Sequence, residues 1–428
     1  MMETSASLRV VTTEGRSSEA RRGWVRYTRF AAVVTLFGYS LGYSTVGFGL
    51  LFVGALWRMA MRRGFPWART SLDLPLAVFG AVLLASAAAS PYHRLALGVT
   101  LMLIISGAVY YGMFAWLLQA DPASRRILLR SWAAGAVVAA AVGLAYSAAN
   151  YVHVASSDQL AHARAAIPRG VGPNGLGTTL LLGSILALGV ALRTRGWERG
   201  GWTAGGLLVL VGLVATGSRA SLGGWIIGIG YLLYRELRTR PRALAAIAVL
   251  GVLLVAVVVA ATPQLANRLQ TTVTDVNGNR VQIWRTSVRM IEERPLLGTG
   301  FGTFQTAYDR YRSVAMSPEP FAFNLWLNLA VETGILGLAG TLWVAVAAVL
   351  TWRRRRPADD ATDFGRSVLA ALWLGLLVDQ FADNTLFSIS TSAALWLLLA
   401  LVAVPGRPPA AAGSGTGRTD VRGPETVS

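Results

Sequence analysis

Three arginines sit beside glycine or hydroxyl residues at the edges of apolar segments. They are Arg169 in R-G-V-G-P-N-G (169–175), Arg219 in T-G-S-R-A-S (216–221) and Arg280 in G-N-R (278–280). A guanidinium fork matches phosphate oxygens two at a time, and helix N-termini with glycine-exposed N–H groups add further anion donors. Converging on one pocket, with Asn174 and Ser218 from the same stretches, they would hold a diphosphate without a metal ion. The plainer alternative for each arginine is snorkelling to lipid headgroups. Three of them on the side that the charge pattern disfavours put anion binding ahead.

Acids for proton transfer are few. Glu332 lies eight residues beyond Asn324, about 12 Å down a helix, where a carboxylate is costly unless it lines a cavity; catalysis and structural hydrogen bonding stand level there. Asp379 and Asp383, four apart, are expected on one helix face where they would couple electrostatically, with capping and solvation the favoured reading. Asp309, His153 and His162 are weaker candidates in loops. Gly298, Gly300 and Gly302 in P-L-L-G-T-G-F-G-T-F lack the G-x-G-x-x-G spacing and follow no strand, so a tight turn is expected. The chain has no cysteine, which removes disulfides and thiolate metal sites. Neither a metal nor a cofactor is expected.

The elements that must position these groups are apolar. Of 428 residues 54% are hydrophobic and 14% charged, with mean hydropathy +0.50; a soluble domain needs far more charged surface, so a polytopic all-α membrane protein is expected. All 39 basic residues are arginine, which together with abundant Ala, Gly and Val is what a GC-rich bacterial coding sequence gives. The net charge of +18 is explained by arginine-rich inner loops rather than by nucleic acid.

Phe30 to Trp57 is too long for one upright crossing, has Gly42-Tyr43-Ser44 in its middle and is flanked by arginines on both sides, so a helical hairpin is expected. Further spans are expected at about 72–90, 96–119, 131–149, 175–192, 201–216, 221–234, 243–262, 325–351, 367–383 and 388–405, about twelve in all. With the N-terminus inside, the inner loops carry nineteen arginines (58, 62, 63, 69, 125, 126, 130, 193, 195, 199, 235, 238, 240, 242, 353–356, 366). The short outer loops carry four (94, 164, 169, 219). That asymmetry places both termini in the cytoplasm.

The expected organisation is a cytoplasmic tail at 1–29, retained rather than cleaved, and a membrane domain at 30–262. An extracytoplasmic loop at 263–324, a second membrane part at 325–405 and a disordered cytoplasmic tail at 406–428 follow. A loop of that length is generally functional. Within it Arg280 to Glu293 forms an amphipathic helix with Val281, Trp284, Val288 and Ile291 on one face, ended by Pro295 and expected on the outer membrane surface.

The order R-G-V-G-P-N-G-L-G, T-G-S-R-A-S, N-R-V-Q-I-W, E-R-P-L-L-G-T-G-F-G-T-F, an Asn before a span and V-E-T-G-I-L-G-L within it resembles the O-antigen ligase and O-antigen polymerase family, best from about 169 to 340. The resemblance implies a C-type glycosyltransferase-like fold in the bacterial inner membrane. It also implies transfer of a glycan from a polyprenyl (undecaprenyl) diphosphate carrier to an acceptor hydroxyl on the outer face, as polymerase or ligase in cell-surface polysaccharide assembly. Family arginines that contact the diphosphate map onto Arg219 and Arg280, and less closely onto Arg169. Asn324 and Tyr308 would lie near sugar, and Glu332, Asp383 or Asp379 would act as base. Ligases of the family commonly carry a His before the Asn; this chain has Phe323 there. The partners implied are the lipid-linked glycan, a glycan or lipid acceptor and membrane lipids, with no nucleic acid. The alternatives weighed are a small-anion transporter, which the paucity of intramembrane charge disfavours, a peptidoglycan glycosyltransferase of the shape and division group, and a non-enzymatic scaffold.

Overall fold

The structure, a computed structural model, describes residues 3–152, 164–168, 171–239, 242, 280–313, 319–354, 360–386 and 392–404. Every regular element among the described residues is helical, the arrangement that satisfies each backbone group within its own segment in lipid. In chain order the helices are α1 (Glu3–Ser40), α2 (Ser44–Ala60), α3 (Asp73–Ala89), α4 (His93–Ala120), α5 (Ser124–Val152), α6 (Pro173–Arg193) and α7 (Gly196–Ala215). They continue with α8 (Arg219–Leu237), α9 (Val281–Glu293), α10 (Phe304–Tyr311), α11 (Leu325–Arg354), α12 (Asp360–Gln380) and α13 (Ser392–Ala403).

His93–Ala120, Ser124–Asn150, Pro173–Arg193 and Leu325–Arg354 are long and apolar enough to cross a membrane, and α2, α3 and α13 are shorter apolar helices. The protein is a helical membrane protein. Each expected apolar segment coincides with a helix except 243–262, which lies outside the described residues, as do the 406–428 tail, His153, His162 and Arg169. The first segment breaks as expected: Gly42 adopts φ 79° and the Tyr43 N–H donates to the Gly38 carbonyl (2.7 Å). α1 nevertheless runs back to Glu3, through the stretch expected as a tail.

Contacts define two ends of the bundle. At one, Arg29 pairs with Asp121 (2.5 Å), Arg130 with Glu198 (2.8 Å) and Arg193 with Glu236 (3.2 Å), while Arg125 donates to the Val404 carbonyl (2.7 Å). At the other lie the starts of α6, α8, α9 and α11 and the end of α12. α8 and α12 meet backbone to backbone: a Cβ on Gly224 would collide with the Gly375 carbonyl, and one on Gly228 would lie 2.6 Å from the Ala371 carbonyl oxygen. Small residues four apart permit that approach in a membrane. It fixes the first turn of α8 against the last turn of α12.

α11 is broken. Gly334 has φ 62° and ψ −167°, a region essentially restricted to glycine. The P-L-L-G-T-G-F-G turn fills the break. Thr299 and Gly300 N–H donate to the Val331 and Glu332 carbonyls (2.9 and 2.8 Å), and Ile335 and Leu336 N–H donate to the Pro295 and Leu296 carbonyls (2.8 and 3.3 Å). Gly298 (φ 66°), Gly300 (φ 105°) and Gly302 (φ 78°) bear out the expected turn. From α3, Ser86 donates to the Leu297 (2.6 Å) and Glu332 (3.0 Å) carbonyls, and Ser90 to that of Thr299.

α9 matches the expected amphipathic helix in span, and Trp284 and Ile291 of its expected apolar face pack against a small core. Ile283, Thr286, Ser287 and Met290 are buried, whereas Val288 is 46% exposed. The helix packs that stripe on α10 and α11 in a second small core with Phe304, Ala307, Tyr308, Ala322 and Val331. Ser287 can enter it because its hydroxyl donates to the Ile283 carbonyl (2.9 Å).

Candidate functional site

The site begins with a buried polar network where α6, α8 and α12 meet. Asp379 is 0% exposed; one oxygen accepts from the Ser221 hydroxyl (2.7 Å), the other from the Thr178 hydroxyl (2.8 Å) and the Gln380 amide (2.8 Å). Gln380 also donates to Thr385 (2.8 Å). Ser218 caps α8, its hydroxyl accepting from the Ser221 N–H (3.4 Å) and lying 2.9 Å from the Ser221 hydroxyl. Asp379 therefore anchors the turn that presents Arg219 at the first position of α8. Solvation is excluded for this carboxylate, against the expectation from sequence.

Asp383 does not share a helix face with Asp379, because α12 ends at Gln380 and Asp383 lies in the turn beyond it. It too is 0% exposed. One oxygen accepts from the Asn384 N–H (2.8 Å); the other has no hydrogen-bond partner. Arg280 and Arg164 act on it electrostatically. Capping is thus local.

Arg280 enters from the start of α9. Its Nη1 donates to the Ala382 carbonyl (3.2 Å) and its guanidinium lies 5.1 Å from the centre of the Phe323 ring. Burial pulls this guanidinium below its ordinary value; Asp383 and Glu319 oppose that, and the neighbouring Arg219 adds to it. Two cations within electrostatic range of each other, one half-desolvated, make a place where an anion is stabilised.

Phe323 has φ 51°, an uncommon conformation for a bulky residue, which lets its ring meet Phe321 edge-on at 4.7 Å. Asn324 then starts α11: its Oδ1 accepts from the Leu327 N–H (3.0 Å) and its Nδ2 donates to the Phe381 carbonyl (2.9 Å). That amide ties the α11 start to the α12 turn. Asn174 is held by Arg164, whose Nη2 donates to Asn174 Oδ1 (2.9 Å) and whose Nε donates to the Thr216 carbonyl (2.5 Å).

Of the residues singled out from sequence, Asn174, Ser218, Arg219, Arg280, Asn324, Asp379 and Asp383 thus come to one end of the bundle. Arg169 is outside the described residues. Glu332 sits elsewhere: it is 4% exposed, and its Oε1 accepts from the Phe304 N–H at the start of α10 (2.9 Å). Tyr308 is buried in the small core with its hydroxyl unpartnered, and burial together with nearby Glu319 pushes the phenol up. Sequence reasoning missed Arg164 and Glu319. Arg164 was visible as one of four arginines in the short outer loops; Glu319, between Pro318 and Pro320, carried no signal.

Fold and site together describe a helical membrane protein in which Asp379, Asp383 and Arg280 converge at one end of the bundle. Residues 204–342 match a family model described as O-antigen ligase, which supports the O-antigen ligase and polymerase family for this chain and points to a glycosyl-transferring enzyme. The match spans α7 to the first part of α11 and includes Ser218, Arg219, Arg280, Tyr308, Asn324 and Glu332; Asn174, Asp379 and Asp383 lie outside it. No curated protein sequence matches the chain.

Proposed function

We propose that the protein transfers a glycan from a polyprenyl diphosphate carrier to an acceptor hydroxyl on the outer face of the bacterial cytoplasmic membrane, as a polymerase or ligase of cell-surface polysaccharide. The observation that carries this reading is the half-buried Arg280, whose Nη1 donates to the Ala382 carbonyl beside Asp383 (3.2 Å) and which is within electrostatic range of Arg219. Twelve alternating crossings, both termini inside, put that end outside and the arginine-paired end inside, in accord with the arginine asymmetry. The proposed division keeps 30–262 and 325–405 as membrane domain around a 263–324 outer loop.

In the proposed reaction the acceptor oxygen bonds to the anomeric carbon as the carbon–oxygen bond to diphosphate breaks. Arg219 and Arg280 hold the charge that develops on the leaving diphosphate, which preorganised donors do without reorganisation. Asp383 keeps Arg280 aimed while the anion is absent. Asn174, Ser218 and Asn324 line the ends of the donor site, and prenyl carbons lie in grooves between spans; Arg169 keeps the diphosphate-binding role that its motif implies, and Tyr308, in the small core, supports the site from behind rather than touching sugar. No metal takes part.

A transporter would use the break in α11. Here the Val331 and Glu332 carbonyls are already taken by Thr299 and Gly300, which weighs against ion coordination there. The test is incubation of protein in nanodiscs with a synthetic polyprenyl-diphosphate oligosaccharide. Free polyprenyl diphosphate and a glycan ladder mean polymerase, a single capped product means ligase, and no release from several donors ends the reading.

A further inference from the structure

We infer that the arginine-paired end of the bundle holds one anionic glycerophospholipid, its phosphate on Arg21 and the root of its acyl chains against Leu118, Ala120 and Val404. The site would exist whether or not the protein transfers glycans, because it lies at the opposite end from Arg280 and Asp379 and shares no residue with them.

A cavity of about 360 Å³ opens there between α1, the end of α4 and the end of α13, a size within the range of small-ligand sites. Its wall is amphipathic. Buried Leu118 and Val404, with Ala120, make the apolar part; Arg21 and Gln119, both exposed, make the polar part. Trp116 also lines it, and the Arg58 guanidinium lies 4.9 Å from the centre of the Trp116 ring. Trp57, next to Arg58 in the chain, is 61% exposed. Tryptophans in such company mark the depth of the lipid headgroups, where phosphate is the abundant anion.

The surrounding charges favour an anion at the rim. The acid at this end of α4, Asp121, is paired with Arg29 (2.5 Å) and also accepts from the Ser124 hydroxyl. Carbonyls at helix C-termini repel anions, but Arg125 Nη2 donates to the Val404 carbonyl (2.7 Å). The cation that the cavity wall presents among the described residues is then Arg21. The carbonyls that end α4 keep a phosphate from seating deep, which sets it at Arg21 and leaves the apolar wall to the chains. Basic pockets between helices at the ends of a membrane bundle take anionic headgroups in this way. A choline headgroup would bring its own cation to Arg21 and fits less well.

The experiment measures lipid retained by the full chain in detergent, by native mass spectrometry, against added phosphatidylglycerol or phosphatidylcholine with the same acyl chains. One phosphatidylglycerol should bind in preference to phosphatidylcholine. Arg21→Ala should weaken it about five-fold and Arg21→Glu about 25-fold, the worth of one and two units of charge beside an anionic lipid. Ala120→Trp, which fills the cavity, should abolish the preference. Arg126→Ala, which removes an exposed arginine of the same end outside the cavity wall, should leave the affinity within about two-fold of wild type. Millimolar glycerol phosphate should not displace the lipid; displacement would make this a site for soluble phosphate and overturn the lipid assignment. Equal retention of the two lipids would overturn it too, as would an Arg21→Glu affinity within about two-fold of wild type, far short of the loss expected for two charges. So would a full chain that retains no lipid, the outcome expected if its own residues 405–428 fill the cavity.

Discussion

Gly334→Ala tests the mutual fit of the α11 break and the glycine turn. At φ 62° and ψ −167° the backbone lies where an L-residue is strained, and an added Cβ would collide with the Leu296 carbonyl. The conformation alone costs about 1–3 kcal/mol. Moving Leu296 away stretches the four hydrogen bonds that join 295–300 to 331–336, and one buried donor left unsatisfied adds about 1–3 kcal/mol. The sum, about 2–6 kcal/mol on these figures, is a large part of the roughly 5–15 kcal/mol by which proteins are stable. At about 2–4 °C per kcal/mol for a large domain, the unfolding midpoint should fall by roughly 4–24 °C. Tryptophan fluorescence on heating in detergent reads it, with Gly230→Ala as control, since Gly230 is an exposed helical glycine with nothing within 4 Å of an added Cβ. That control should be neutral or raise the midpoint slightly. Gly298→Ala strikes the same contacts from the other side, where a Cβ would lie 2.5 Å from the Val331 carbonyl oxygen, so the double variant should lose less than the sum. A Gly334→Ala midpoint within about 2 °C of the Gly230→Ala midpoint, well short of the shift expected from the conversion above, would refute the reasoning.

Glu332→Ala should free the first turn of α10, raising amide exchange across Phe304–Tyr311 by about 10–100-fold, as expected when a buried acceptor is lost; unchanged exchange there would mean Glu332 does not hold the helix. Ser221→Ala and Thr178→Val each remove one hydroxyl from Asp379 and should each cost about 1.5–3 kcal/mol, the usual worth of a hydrogen bond to a charged group, read as a lower midpoint. Because the chain has no cysteine, single-cysteine labelling reports topology cleanly. A membrane-impermeant maleimide should reach Ser313→Cys in intact cells and Arg126→Cys only after permeabilisation, and the reverse pattern would invert the orientation.

Periodicity and charge made the hairpin, the helical segments, α9 and the glycine turn legible, since each depends on residues within one short stretch. What pairs distant stretches was not. That the turn at 295–303 fills a break at Gly334, and that Glu332 holds α10, follow from contacts some thirty residues apart in the chain, for which no local pattern codes. On α9 apolarity picked Val281, Trp284, Val288 and Ile291, of which Trp284 and Ile291 pack on the small core, but the buried stripe with Thr286 and Ser287 needed the fold. The helix face expected for the aspartate pair was misread because nothing local marks the end of α12 at Gln380, while their expected electrostatic coupling holds. Arg219 and Arg280 were singled out from residue type and placement alone, yet Asp383 near Arg280 and Arg164 beside Asn174 needed the fold.

The most direct test of the central claim is donor cleavage by Arg219→Ala and Arg280→Ala beside wild type, with and without EDTA, following polyprenyl diphosphate released from the synthetic lipid-linked glycan. The account predicts wild-type release unchanged by the chelator and a fall of about 10²–10³-fold in each variant, the loss typical of removing one donor to a developing anion. Release that stops with EDTA, or persists in both arginine variants, would contradict it.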